Sequence, residues 1–147
     1  MPVDVTVTNR INRPIAVVGS FAADPSNAPL WYRRIVTVEW VTDPPPVEGS
    51  RMKFFARFVG RELRYTYEIV EFRAGESLTM RTSEGPFPMN TVYTWSAIGE
   101  DATQMTLRNH GSPTGFSKLT APLMSVAMRR AMKQDLAALK GILEAAT

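Results

Sequence analysis

From Ser112 to Thr147 the chain carries one apolar stripe. Met124, Met128, Ala131, Met132, Leu136, Leu139, Ile142 and Leu143 recur there at spacings of three and four. That period belongs to a helix laying one face, about 100° wide or more, against a core. The spacing predicts a single long helix, entered through Ser112-Pro113 and again through Thr120-Ala121-Pro122. Almost everything before it alternates like strand. The partner of this helix is therefore a sheet, and a sheet that holds a long helix has to curl around it.

The rest of the composition restricts the alternatives. At 147 residues the chain suits one domain, 1–147, with enough length for a real core. A net charge of +3 is too weak to imply nucleic acid, and no basic cluster exceeds the pairs Arg33-Arg34 and Arg129-Arg130. Cysteine is absent, which removes disulfides and thiol chemistry and is compatible with a reducing cytoplasm, the expected location. Met1–Arg13 alternates and has no signal-peptide core, and no run reaches the length of a membrane-spanning helix.

Taken in order, Val3, Val5, Val7 and Ile11 alternate with polar residues as a half-buried strand. Asn12-Arg13-Pro14 follows, with Asn12 the expected cap of a short helix through Ile15–Ala22. Asp24-Pro25-Ser26-Asn27 breaks that helix and starts a second short turn through Ala28–Tyr32. Strands are predicted over 34–42, 52–59, 63–72, 77–83, 89–98 and 103–110, separated by Gly- and Pro-bearing turns. Their close spacing implies an antiparallel meander. The class is α+β: one strand, two short helices, six strands and one long helix.

Several motifs mark this order of elements: Arg13-Pro14 before the first helix, and Ala23-Asp24-Pro25-Ser26-Asn27 with Trp31 after it. Glu48-Gly49-Ser50-Arg51 opens a strand, Glu84-Gly85-Pro86-Phe87-Pro88-Met89 stands ahead of Tyr93-Thr94-Trp95, and the chain ends in Asp135-Leu136, Leu139-Lys140 and Leu143-Glu144. With these motifs the order of elements resembles the helix-grip fold of the START-like, birch-pollen-allergen-like (SRPBCC) superfamily, and within it the bacterial polyketide cyclase/dehydrase-like branch. The resemblance implies a curved antiparallel seven-stranded sheet wrapped around a long C-terminal helix, with a pocket between them. It implies fold more sharply than function, because the superfamily includes hydrophobic-ligand carriers, aromatic-ring cyclases and hormone receptors.

Side chains reach such a pocket at every second strand position. One face of each strand collects Phe54 and Phe58 with Met52 and Ala56; Tyr65 and Tyr67 with Leu63 and Ile69; Met80 with Leu78 and Thr82; Met89, Thr91, Tyr93 and Trp95; and Leu107 and Asn109 with Met105. Met124 and Met128 are the helix residues expected to close the space. Apolar walls with a few hydroxyls and one amide suit a ligand site, and methionine adapts to an irregular one. The same residue types are also the ordinary contents of a filled core. A single bulge in Leu63–Phe72 would exchange that strand's inward and outward sets.

Catalytic signals are sparse. His110, the lone histidine, is out of phase with Leu107 and Asn109 and reads as a rim or solvent residue. One histidine and no cysteine give no metal-ligand set, and no cofactor is implied. Gly111-Ser112-Pro113-Thr114-Gly115 fails as a nucleophile elbow because proline holds the central position, and Ser112 reads as a helix cap. Glu71 falls in phase with Tyr65 and Tyr67, whereas Glu68 does not. Asp135 sits inside the apolar stripe, where a charge needs a partner or a proton. It is read as bonded to an arginine or to backbone amides near the first strand and short helices, with a catalytic acid as one alternative and, where the stripe turns outward near the helix end, a solvated carboxylate as the other.

Three functions follow. The first is binding or carriage of a small hydrophobic or aromatic molecule, lipid- or polyketide-like. The second is a cyclase or dehydratase whose pocket folds a reactive chain, with Tyr65, Tyr67, Tyr93, Asn109 or Arg81 moving protons. The third is a protein-interaction or stress-response module, and a homodimer is compatible with any of them. The absence of a catalytic constellation favours the first.

Overall fold

The computed structural model describes residues 3–58, 60–84, 88–111 and 121–146, with Phe58 and Ala121 described by backbone alone. The expected α+β helix-grip architecture is the one observed. Strand β1 (Val3–Ile11) leads into α1 (Ile15–Ala23), a 3-10 turn (Pro25–Asn27) and α2 (Ala28–Trp31). Six strands follow: β2 (Ile35–Trp40), β3 (Arg51–Phe58), β4 (Arg61–Arg73), β5 (Ser77–Glu84), β6 (Met89–Ile98) and β7 (Ala102–Gly111). The long helix α3 (Ala121–Ala145) closes the chain, and the expected entry through Ser112 lies outside the described residues.

All strands join one antiparallel sheet in the order β1-β7-β6-β5-β4-β3-β2. The meander accounts for β2 to β7, and β1 closes on the far side by pairing with β7, Val7 opposite Leu107. Gly60, at φ +74°, makes the tight β3–β4 turn, in the left-handed region that glycine enters without a Cβ clash. Register shifts between Ile35 and Thr37, Thr66 and Tyr67, and Ile69 and Glu71 mark bulges that bend the sheet.

The bulge beyond Ile69 corrects one expectation. Phe72, opposite Leu78, turns inward there, and Glu71 turns outward to pair with Arg73 at 3.3 Å. A second correction concerns α1. Pro14, not Asn12, is its cap: the Pro14 carbonyl accepts the N–H of Val17 and Val18. Asn12 is otherwise engaged, its side chain accepting Arg10 Nε and its N–H bonding Glu144. The β-branched α1 is held by packing, with Val18 and Ala22 buried.

Helix α3 lies along β1 and is stitched to it mostly from its C-terminal half. Asn9 Nδ2 donates to the Leu136 carbonyl at 3.0 Å, and Lys140 Nζ to the Arg10 carbonyl at 2.8 Å. Arg13 donates to the carbonyls of Leu143 and Ala146, placing a cation on the negative end of the helix dipole. Beneath these bonds Leu136, Leu139 and Leu143 are buried, each burial favouring the fold by about 1.5–3 kcal/mol. The N-terminal half of α3 keeps one such bond, from Arg129 to the Thr6 carbonyl, and on its inner side the core is not filled.

Candidate functional site

Three adjoining chambers, of about 210, 170 and 100 Å³, lie in this unfilled region. Pleating aims alternate residues of β4, β6 and β7 into them, and the apolar stripe of α3 forms the facing wall of the two larger ones. Tyr65 and Asn109 line all three. Tyr67 lines two, as do Met89 and Met128, while Met124 lines the largest. Phe54, Met80 and Tyr93 line the smallest. Trp95 and Leu107, on the same inward faces, are buried and line none of the three chambers, so they belong to the packed core. The side chain of Phe58 lies outside the described residues.

The aromatic walls hold one another in place. Phe54 and Tyr65 stack with ring centroids 5.6 Å apart, and Tyr67 meets both edge-on at 5.3 and 5.2 Å. On the other side Trp31 packs against Tyr32 and Tyr93, and the hydroxyls of Tyr32 and Tyr93 are hydrogen-bonded to each other. Burial pushes the phenols of Tyr32, Tyr65, Tyr67 and Tyr93 above their ordinary value, so all four stay protonated at neutral pH.

A short polar relay crosses the sheet. The Thr91 hydroxyl donates to Asn109 Oδ1 at 2.6 Å, so its contact with Tyr67 at 2.8 Å uses the tyrosine as donor. The amide oxygen of Asn109 is thereby occupied, and its NH₂ remains for the cavity. The Tyr65 hydroxyl has no hydrogen-bond partner among the described residues. Two unused donors thus stand where the three chambers meet.

The largest chamber also holds charge. Its wall includes Tyr32, Arg34 and Asp135. Asp135 is 6% exposed and accepts the backbone N–H of Arg33 at 3.1 Å. Burial pushes its carboxyl up to about 6, against the opposing pull of that N–H and of the Arg34 and Arg33 guanidiniums. The backbone amide expected for Asp135 is therefore present, and it comes from the segment directly after the short helix α2. Arg81 faces outward and pairs with Glu68 at 3.7 Å, which removes it from the pocket chemistry. His110 sits on the outer face opposite Asp4, away from the chambers.

Tyr32 and Arg34 were not legible as site residues. They lie on the α2–β2 connection, which has no period to read, and Tyr32 meets a strand 61 residues away. Asp135 was visible only as a charge inside the stripe.

A family model described as polyketide cyclase/dehydrase and lipid transport matches residues 2–144. Among solved structures, the Zhui aromatase/cyclase from Streptomyces sp. R1128 is similar over 98% of this chain and 94% of its own, with a TM-score of 0.83 and 15% identity. A START superfamily protein from Mycobacterium smegmatis is similar over 98% of this chain and 99% of its own, with a TM-score of 0.85 and 13% identity. Ginseng major latex-like protein 151 from Panax ginseng is similar over 95% and 96%, with a TM-score of 0.75 and 14% identity. At these identities the likeness is one of fold. None of the curated proteins compared matches the chain. No described helix is long and apolar enough to cross a membrane.

Proposed function

We propose that the chain, which belongs to the polyketide cyclase/dehydrase and lipid transport family, binds a small hydrophobic molecule with an aromatic portion in the chambers beneath α3. The observation that carries this reading is the pairing of apolar and aromatic walls with two unused donors. Tyr65 O–H and Asn109 N–H stand at the junction of all three chambers, and nothing in the protein among the described residues occupies them. A few placed polar groups in an apolar cleft fix a ligand's orientation. Two donors, with the phenols held protonated, suit a ligand that brings acceptor oxygens, such as a carbonyl or a neutral hydroxyl.

The test is native mass spectrometry of the protein purified from its source, followed by titration with whatever small molecule it releases. A discrete one-to-one ligand whose affinity falls in a Tyr65→Phe, Asn109→Leu variant supports the reading. A protein that binds neither a co-purified compound nor any of a panel of aromatic ketones and phenols overturns it.

One observation favours a second reading, a cyclase or dehydratase. Asp135 lines the largest chamber with its carboxyl held at about 6, where an acid can both give and accept a proton near neutral pH. A bound chain folded against Asp135 would need little more than positioning and one proton shuttle to condense. Conversion of a bound poly-ketone that ends with Asp135→Asn, while binding persists, would favour this reading over carriage.

A further inference from the structure

Leu123 and Val126 are the two most exposed large apolar side chains among the described residues, at 72% and 68%. Three positions apart on α3, they share its outer face, opposite the buried stripe. Arg130 falls between them on the helical wheel, and Lys133 and then Arg129 continue the same side. From residue 121 to residue 134 there is no acid, and the first, Asp135, points inward. None of the described ion pairs includes Arg130 or Lys133. Arg129 gives one N–H to the Thr6 carbonyl and otherwise faces solvent. Val126, Arg129, Arg130 and Lys133 together line a shallow open groove.

Covering this face takes a partner that is apolar at one depth and anionic at another. A second copy of the chain fits poorly, because a two-fold contact would set this patch, cationic at Arg129, Arg130 and Lys133, against its own copy. Nucleic acid would meet the cations and leave the aliphatic pair in water. A bilayer with anionic headgroups meets both demands, as it does for interfacial helices with aliphatic and basic residues on one exposed face.

We propose that the outer face of α3, from Leu123 to Lys133, docks on the surface of an anionic phospholipid bilayer. Leu123 and Val126 enter the boundary between headgroups and acyl chains, and Arg130 and Lys133 meet lipid phosphates. The same turns carry Met124 and Met128 on their inner side, against the cavity. Docking therefore places the membrane one helix diameter from the chambers. The proposal does not depend on what the chambers bind.

The test is co-sedimentation of the full chain with vesicles of phosphatidylcholine alone and of phosphatidylcholine mixed with phosphatidylglycerol, at low and at raised salt. The expected result is binding to the mixed vesicles that weakens with salt. Arg130→Gln with Lys133→Gln should weaken it about 30-fold at low salt. Leu123→Ser with Val126→Ser should weaken it about tenfold or more. Neither pair touches the core, and unchanged melting curves check that both variants fold. Three sedimentation results overturn the proposal: no sedimentation with either vesicle; equal sedimentation with both that ignores the charge variant; or binding that ignores the Leu123 and Val126 substitutions, which is loose charge attraction. A dimer in solution that Leu123→Ser with Val126→Ser dissolves would place a second copy on this face instead.

Discussion

The Asp135 carboxylate on α3 accepts the backbone N–H of Arg33 at 3.1 Å, fastening the long helix to the turn between α2 and β2. Burial holds this carboxyl at about 6, above its ordinary 3.8. The folded chain therefore binds the proton more tightly than the unfolded chain, and folding takes one up between about pH 4 and pH 6. Stability owed to this site falls as pH rises through that window and stays lower above it, by about 3 kcal/mol. Asp135→Asn keeps an acceptor for Arg33 and removes the charge. Urea unfolding should show the variant more stable than the parent at neutral pH and no more stable near the bottom of the window. Parallel pH profiles for the two proteins would exclude a buried, titrating Asp135.

Tyr65→Phe keeps the stack on Phe54 and removes one hydroxyl that bonds to nothing among the described residues. Its melting temperature should stay within a degree or so, because a surface of equal shape replaces it and no partner is orphaned. Affinity for an oxygen-bearing ligand should fall about fivefold to tenfold, the worth of one neutral hydrogen bond. Calorimetric titration against the co-purified compound decides this, and unchanged affinity would mean the hydroxyl is not a ligand contact.

Trp95 and Met128 separate filled core from open wall. Trp95 is 4% exposed and edges Tyr93 at 6.1 Å, so Trp95→Ala should lose about 3–5 kcal/mol. Met128 is half-buried and borders two chambers, so Met128→Ala enlarges space that already exists. Denaturant titration should place its loss at about 1 kcal/mol, below the usual range for a buried methionine. Equal losses for the two would argue that the region beneath α3 is packed.

Gly111, at the end of β7, has no room for a side chain. A Cβ there would stand 2.4 Å from the Pro88 carbonyl oxygen and 3.0 Å from the Met89 sulfur. Gly111→Ala should cost about 1–3 kcal/mol through backbone displacement and shift Met89, altering ligand affinity. Gly19→Ala is the control, since its Cβ would meet Gly75 and Trp95 at ordinary contact distances of 3.5 Å or more. Melting curves for both check the contrast, and a Gly111 variant as stable as the control would refute the close approach.

Regular periodicity made most of the architecture readable. Val3, Val5 and Val7 alternate on β1, Thr91, Tyr93 and Trp95 on β6, and the stripe from Met124 to Leu143 keeps one helical face. Where a bulge interrupts the period, reading fails: Glu71 shares parity with Tyr65 and Tyr67, yet the extra residue after Ile69 turns it outward. The site was harder, because parity states which side a residue faces and not whether anything fills the space beyond. Tyr93 and Trp95 have the same parity, similar chemistry and nearly equal burial, and only three-dimensional packing leaves a chamber beside the first and none beside the second. Tyr32 and Arg34 come from a connection with no period at all.

The stitching of α3 to β1 divides one helix into two territories. Asn9, Arg13 and Lys140 grip backbone, so their partners at Arg10, Leu136 and Leu143 supply only carbonyls, which any residue offers. Positions 124 and 128 lie turns away from most of those grips, on a wall that borders open space. Substitutions there can reshape the chambers while leaving those carbonyl grips intact. A lineage built on this scaffold can therefore change the shape of its chambers by altering a few residues at one end of a helix, with foldability conserved by the other end.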